Sequence, residues 1–460
     1  MRKYQLDLAL RRLAAISISK YLWKHSHLKD LLKSHIDEDT SPEDLMPAAI
    51  TSLIDHLNVP EPVKEELMFA VGTMGSQIWF NVSEDFQWVY CGVPADDSGS
   101  SSKPSDFVDH VRWTNHGCID RSKTMRSLYF SGILPRNHVT WVELCVHCLE
   151  DCVQDLWLKI SNVDQFQNWR NQALFTELAY DALSSAYWSG RVQNNREIVI
   201  DMFETITDHF YERSYSVEEN MFVNSFLRKK YSAVKFFWDL LSEDQRMRMI
   251  VGICERISSG DPETKRFKDL FFMRDGMSGD LLMSFLQQLS DYGLDDVRIK
   301  LLGSEFVLKQ LLDWPYHELF MELLRESWVH HDSLDYSPII SWIFRNVCDQ
   351  QQFLPRDVKY HRIFYELWKI NPRNLKDSVD YHDDFNLLWG LREVGVINHI
   401  LKDEELRGRR KEFLNRIAEI HGRGSTDVDF LEEFMALVIS SKEEREWFRG
   451  QIELVAKAQN

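Results

Sequence analysis

The chain has 460 residues and a formal net charge of −18, with 72 Asp and Glu against 54 Lys and Arg. It is 44% hydrophobic and 27% charged, which excludes a globally disordered, collagen-like or cysteine-rich secreted class. An acidic surface repels phosphate, so no nucleic-acid partner is expected. The 15 Trp and 27 Phe, set against only 19 Gly and 12 Pro, favour long helices over many short strands and turns.

The N-terminal 35 residues break the acidic trend. Arg2, Lys3, Arg11, Arg12, Lys20, Lys24, Lys29 and Lys33 face only Asp7 and Asp30, and Leu6, Leu10, Leu13, Leu22, Leu28 and Leu32 recur at near-helical spacing. This pattern predicts an amphipathic first helix docked on an acidic body. A mitochondrial presequence or a helix lying on a membrane surface is the alternative, and Asp7 counts against the presequence. No apolar run reaches the ~18 residues of a membrane span, and no compact apolar core marks a secretory signal. Seven cysteines, an odd and modest number, suit reduced thiols, so a cytoplasmic location is expected, with the mitochondrion as alternative.

Further along, Ser41-Pro42-Glu43 reads as a helix start with Pro at the first helical position. Over 78–93, Phe86, Trp88 and Tyr90 alternate; a helix is expected there and a hairpin is the alternative. Residues 94–106, rich in Ser, Asp and Pro and lacking large apolar groups, read as a linker. The expected domains are therefore a helical N-terminal region over 1–93 and a helical array over 107–460.

Within the array, Trp141, Cys145, Cys148, Cys152 and Leu156 step by 4, 3, 4 and 4, the spacing of one helical stripe. Ser216-x-x-Glu219, Ser242-x-x-Gln245 and Ser441-x-x-Glu444 are capping boxes, and Asp261-Pro262-Glu263 is a further start. A Phe recurs in similar helical cores at Phe203, Phe237, Phe285, Phe320, Phe364 and Phe434, with steps of 34, 48, 35, 44 and 70. Such spacing predicts stacked two-helix units of roughly 35–45 residues, the last step spanning two units. The expected fold is thus all-α, an irregular α-solenoid-like array of antiparallel helix pairs.

Candidate chemistry is sparse. Cys145 and Cys148 sit one helical turn apart, and His116 and Cys118 lie upstream in a loop; zinc takes four such ligands in a tetrahedron. The competing reading is that these cysteines continue the apolar stripe as small core residues. His330-His331-Asp332 and Tyr381-His382-Asp383-Asp384 place His beside carboxylates, but between helical segments, where polar residues are expected anyway. Gly276-Met277-Ser278-Gly279 is followed by Asp280 and lacks the Lys of a phosphate-cradling loop. Arg228-Lys229-Lys230 and Arg407, Arg409, Arg410 and Lys411 read as solvated helix faces.

Three stretches carry a resemblance: Gly117–Thr124 (GCIDRSKT), Cys145–Trp157 (CVHCLEDCVQDLW), and Leu312-Asp313-Trp314-Pro315 running into Leu319–Leu323. Together they resemble large all-helical proteins that are numerous in spider and other arthropod genomes. The resemblance implies a multi-helix, repeat-like fold. It implies no activity, because none is assigned to that family, and it carries over no catalytic residue. The expected function is a non-enzymatic interaction or scaffold protein that meets a protein partner through its helical surface, without a cofactor. The alternatives are a metal protein or enzyme centred on Cys145–Cys152, and a toxin- or immunity-like effector acting through the basic first helix.

Overall fold

Helices make up most of the described residues, among which the one strand-like pairing is an isolated bridge between Trp113 and Ile119. This computed structural model describes residues 10–25, 27–38, 40, 45–82, 103–159, 179–205, 211–228, 230–258, 279–303, 305–312, 316–326, 336–348, 358–370, 375–376, 383–390, 392–424 and 428–459. The all-α class expected from the aromatic load and the scarcity of Gly and Pro is what is observed. No helix among the described residues is long and apolar enough to cross a membrane. The chain divides into two compact units, one of residues 1–301 and 313–316 and one of 302–312 and 317–460.

The first unit opens with α1 (Leu10–His25), α2 (His27–Glu38), α3 (Leu45–Asp55) and α4 (Glu61–Phe80). The basic N-terminal stretch docks, but as two helices and not by the expected leucine stripe, for Leu10 is exposed. Arg12, Ala15, Ile16, Ser19, Leu22 and Trp23 are buried, and α1 lies along α4. The Arg12 guanidinium pairs with Glu66 with both side chains almost wholly enclosed, and it stacks 5.0 Å from the Phe69 ring centroid. The Trp23 indole N–H donates to the Val71 carbonyl at 2.9 Å. A short helix, α5 (Asp106–His110), follows, and its Asp109 takes both Lys29 (2.9 Å) and Lys33 (2.7 Å) from α2. The Gln77 amide grips the next loop by its backbone, donating to Gly117 O and accepting from the Ile119 N–H, each at 3.1 Å. Residues on both sides of 94–106 thus pack together in this unit. Most of the expected linker itself lies outside the described residues.

The unit continues through α6 (Arg121–Phe130), α7 (His138–Val146), α8 (Glu150–Lys159), α9 (Ala179–Val192), α10 (Glu197–Thr205), α11 (Val217–Leu227), α12 (Tyr231–Leu240), α13 (Glu243–Ser258), α14 (Gly279–Asp291) and α15 (Asp295–Leu302), whose last residue falls in the second unit. Here α7, α9, α11 and α13 pack in succession, each on the helix two positions on. Helix α11 is buried on every side, from Glu219 to Leu227. Its capping box closes in both directions, with Ser216 and Glu219 satisfying each other's backbone N–H groups. The Ser242–Gln245 box does the same at α13, at 2.9 and 3.4 Å.

The cysteine stripe corrects the sequence reading. It is two helices, α7 and α8, and not one. The break is at Cys148, which adopts a left-handed φ of 51°. Its N–H bonds Cys145 O and the Leu149 N–H bonds Leu144 O, both at 3.0 Å, which is the Schellman closure of a helix end. Leu144 and Leu149 are both buried, as the hydrophobic contact of that motif requires. A left-handed residue other than Gly costs about 1 kcal/mol, so packing holds Cys148 in place. The same pair of backbone bonds recurs at Gly132, Asn194, Gly293 and Arg392. After Cys148, Gly293 and Arg392 a new helix begins two residues later.

The second unit contains α16 (Glu305–Gln310), α17 (His317–Glu326), α18 (Ser337–Cys348), α19 (Val358–Ile370), α20 (Asp383–Gly390), α21 (Val394–Leu401), a 3₁₀ turn at Arg407–Arg409, α22 (Arg410–Gly424), α23 (Val428–Val438) and α24 (Lys442–Gln459). Helices two apart pack on each other throughout: α16, α18, α20, α22 and α24 form one succession. Ser341 of α18 donates to Asp384 of α20 at 3.0 Å, and Trp389 of α20 meets His421 of α22 at 5.7 Å. The odd helices form a second succession. His317 of α17 stacks on Tyr360 of α19 at 5.8 Å, and Tyr365 of α19 meets His399 of α21 at 4.8 Å. All six recurring Phe residues are buried helix residues. They fall on α10, α12, α14, α17, α19 and α23. The long last step skips α21, whose buried face is the aliphatic Val396, Ile397 and Ile400.

The Arg407–Lys411 run differs from a solvated face at one residue. Arg410 is half-buried, and its guanidinium donates to Leu401 O (2.9 Å), Val438 O (2.8 Å) and Glu444. The cause lies at α24. There Ser441 caps the Glu444 N–H at 3.0 Å, while the Glu444 carboxylate turns to Arg410.

Candidate functional site

Cys145, Cys148 and Cys152 all face the interior, at 0, 7 and 0% exposure. The α7–α8 corner that holds them packs on α9, whose Trp188 donates its indole N–H to Cys145 O at 3.1 Å. Burial raises the Cys145 thiol pKa well above the ordinary range and pushes Cys148 and Cys152 to about 12. The thiolate is the nucleophile, so burial leaves these thiols poorly placed for nucleophilic chemistry. Cys118 is half-buried in the loop before α6. The described residues hold no group of three or more His, Cys, Asp or Glu placed to bind a metal ion, so His116, Cys118, Cys145 and Cys148 are not gathered into one.

Next to the corner lies His147, which ends α7. Its Nδ1 is 3.3 Å from Ser232 Oγ, and its Nε2 is 3.8 Å from a Glu143 carboxylate oxygen. Burial, aided by the positive charges of Lys230 and Arg121, holds its pKa well below the usual 6.5, so the ring is neutral. Of the other sequence candidates, Asp384 is a buried acceptor for Ser341. The Ser41–Glu43 start, the Phe86–Tyr90 alternation, Lys229, Asp261–Glu263, Gly276–Ser278, His330–Asp332, Tyr381 and His382 lie outside the described residues.

The clearest site feature was not singled out by sequence. Helices α11, α12 and α14 enclose a cavity of about 240 Å³ in the first unit. Phe222 and Phe226, one turn apart on α11, face Trp238 of α12 and Phe285 of α14. The rings meet in tilted pairs: Phe222 with Trp238 at 5.5 Å, Phe226 with Phe285 at 5.1 Å, and Phe222 with Phe226 at 6.3 Å. Tilted pairs suit the ring quadrupoles. The three Phe rings are buried and form the floor, and Trp238 and Tyr231 are the lining aromatics that remain partly exposed. Lys235 and Asp239, both exposed on α12, stand at the lip, with Ser284 and Gln288 of α14 among the remaining lining groups. On α13, Arg246 steadies Trp238, its guanidinium 5.4 Å from the ring and its Nε donating to the Trp238 carbonyl at 3.0 Å. The aromatic stripes were visible in the sequence, but a residue that fills a core and one that lines a void look alike there.

Such an arrangement can hold an apolar group and offer opposite charges at its entrance. It presents no nucleophile paired with a base. Comparisons of the chain with protein-family models, with curated proteins and with solved structures found no match.

Proposed function

We propose that this chain is a non-enzymatic interaction protein, an α-solenoid-like array of two-helix units that binds a protein partner. The carrying observation is the open aromatic cavity between α11, α12 and α14 with free charges at its lip. Apolar pockets with a few convergent polar groups are the usual binding sites of folded chains. Support for the array comes from the packing of helices on neighbours two positions away and from the buried Phe that recurs on α10, α12, α14, α17, α19 and α23. On this reading the likeness to the arthropod helical proteins is one of architecture, the protein works in the cytoplasm, and nucleic acid is not its ligand. The alternative centred on Cys145–Cys152 has buried thiols and no cluster of metal-ligating groups among the described residues, and the alternative built on the first helix must free α1 from Glu66 and Val71.

The test is affinity capture from native extract with the full chain and with Ser284→Phe, which fills the cavity from its lined wall. The reading expects a stoichiometric partner that is retained by the parent and lost by the variant, with unchanged circular dichroism. The same captured set for both proteins overturns it.

A further inference from the structure

We propose that the α11–α12–α14 cavity receives one aromatic side chain of the partner polypeptide, a Trp or Phe flanked on that partner by residues of opposite charge. This rests on the interaction reading and names what the interaction inserts.

Size is the first argument. A space of about 240 Å³ suits a single large aromatic side chain. Dedicated small-molecule pockets run roughly 300–1,000 Å³ and enclose most of their ligand. The second argument is the wall. Phe222, Phe226 and Phe285 pack as tilted pairs into a buried floor, and the partly exposed Trp238 and Tyr231 offer ring surface to a guest ring, whereas a branched aliphatic chain gains only area. Buried aromatic anchors of this kind carry much of the affinity at protein interfaces.

The lip supplies the third argument. Lys235 and Asp239 lie one turn apart on α12, and no ion pair ties either to another described residue. A Lys placed N-terminal to its acidic neighbour is the weaker helical order for a pair, so both charges stay available to a partner. A guest whose ring is inside the cavity leaves its main chain at this lip. There its neighbours meet a cation on one side and an anion on the other, and Ser284 and Gln288 offer a hydroxyl and an amide to its backbone.

The test uses the full chain and ligand-observed saturation-transfer NMR with N-acetyl-L-tryptophanamide, N-acetyl-L-leucinamide and free L-tryptophan. The expected result is saturable binding of the blocked tryptophan with a millimolar Kd, as befits a single anchor of about eighteen heavy atoms. The blocked leucine binds at least fivefold more weakly. Ser284→Phe weakens the tryptophan probe at least tenfold, and Gln288→Trp replaces it if that variant does not fold. The tripeptides acetyl-Glu-Trp-Lys-amide and acetyl-Lys-Trp-Glu-amide differ in Kd at least threefold, and the double variant Lys235→Asp with Asp239→Lys reverses the preference. No saturable binding overturns the proposal, as does equal binding of leucine. Tenfold tighter binding of free L-tryptophan also overturns it, in favour of an amino-acid pocket. Partner capture that depends on Ser284 without any probe binding sinks the aromatic guest and spares the interaction reading. Probe binding with capture unaffected by Ser284→Phe sinks the interaction reading.

Discussion

The Arg410 guanidinium holds Glu444 with two bonds, Nε to Oε1 at 2.9 Å and the NH2 nitrogen to Oε2 at 3.2 Å. Its remaining donors fill the carbonyls of Leu401 and Val438, near the ends of α21 and α23, where no intrahelical partner remains. One side chain thus ties four helices of the second unit. Arg410→Ala is expected to lower stability by about 2–3 kcal/mol, because it leaves a half-buried carboxylate and two carbonyls unpaired. Arg410→Lys recovers little of this, since an ammonium cannot reproduce the planar fork. Urea titrations of the variants check it, and a Lys variant as stable as the parent contradicts it.

Asn220 clamps the segment before α11. Its Oδ1 accepts the Glu212 N–H at 2.8 Å, and its Nδ2 faces the carbonyls of Glu212, Tyr215 and Ser216 at 3.0–3.3 Å. The side chain is 1% exposed. Asn220→Ala should cost about 2–4 kcal/mol. Asn220→Asp should cost more at neutral pH, because an anion then faces three carbonyl oxygens, and the deficit should shrink as acid protonates it. Thermal melts at two pH values decide; a milder Asp variant at neutral pH counts against the clamp.

Gly422 sets how closely α22 and α24 approach. A Cβ there would meet Val455 Cγ1 at 2.8 Å and the Ile452 carbonyl at 3.4 Å. Gly422→Ala is expected to destabilise by about 1–3 kcal/mol despite its better helix propensity. Val455→Ala in the same chain should recover part of the loss. A double-mutant cycle measures it, and zero coupling between the two sites refutes the close approach.

Four histidines share one direction of pH response. Burial lowers the pKa of His110, His138, His147 and His399 below 6.5, most strongly at His147. The unfolded chain therefore binds protons that the folded chain refuses. Stability should be complete above pH 6.5 and fall as pH drops below it, by up to about 1.4 kcal/mol per pH unit for each proton taken up. Asp181 runs the other way, its pKa raised by burial, and offsets part of the loss near and below the carboxylate range. His147→Gln should flatten the slope between pH 6.5 and 5 by up to one proton. An unchanged slope by calorimetry would remove His147 as the main source.

Thiol labelling follows burial. Of the five cysteines whose side chains are described, Cys118 alone is partly exposed, and Cys145, Cys148, Cys152 and Cys254 are buried. Native-state alkylation followed by mass spectrometry should modify Cys118 first. The other four should react only as fast as the first unit opens. Rapid native labelling of Cys148 would contradict its raised pKa.

What was readable from sequence was mostly local. Ser216–Glu219 and Ser242–Gln245 cap as their spacing predicts, because a box depends on residues three apart. That a basic first helix docks was legible, but its face was not: Leu10 of the leucine stripe is 83% exposed, and the buried side is Arg12, Ala15, Ile16, Ser19, Leu22 and Trp23. The break at Cys148 was hidden because Schellman closure was formed with Cys in the position usually taken by Gly, and because Cys145, Cys148 and Cys152 keep helical spacing across it. Arg410 was hidden because the groups it satisfies come from 9, 28 and 34 residues away. The cavity needed three helices to exist at all.

The packing of each helix on neighbours one and two positions along has a kinetic consequence for the second unit. Its described helices pack chiefly on neighbours close in sequence, so little loop-closure entropy stands between the unfolded and folded chain. From α16 onward, each emerging helix of this unit finds earlier helices of the same unit to pack against. The second unit should assemble progressively from its N-terminal side during synthesis, before its last helix has left the ribosome.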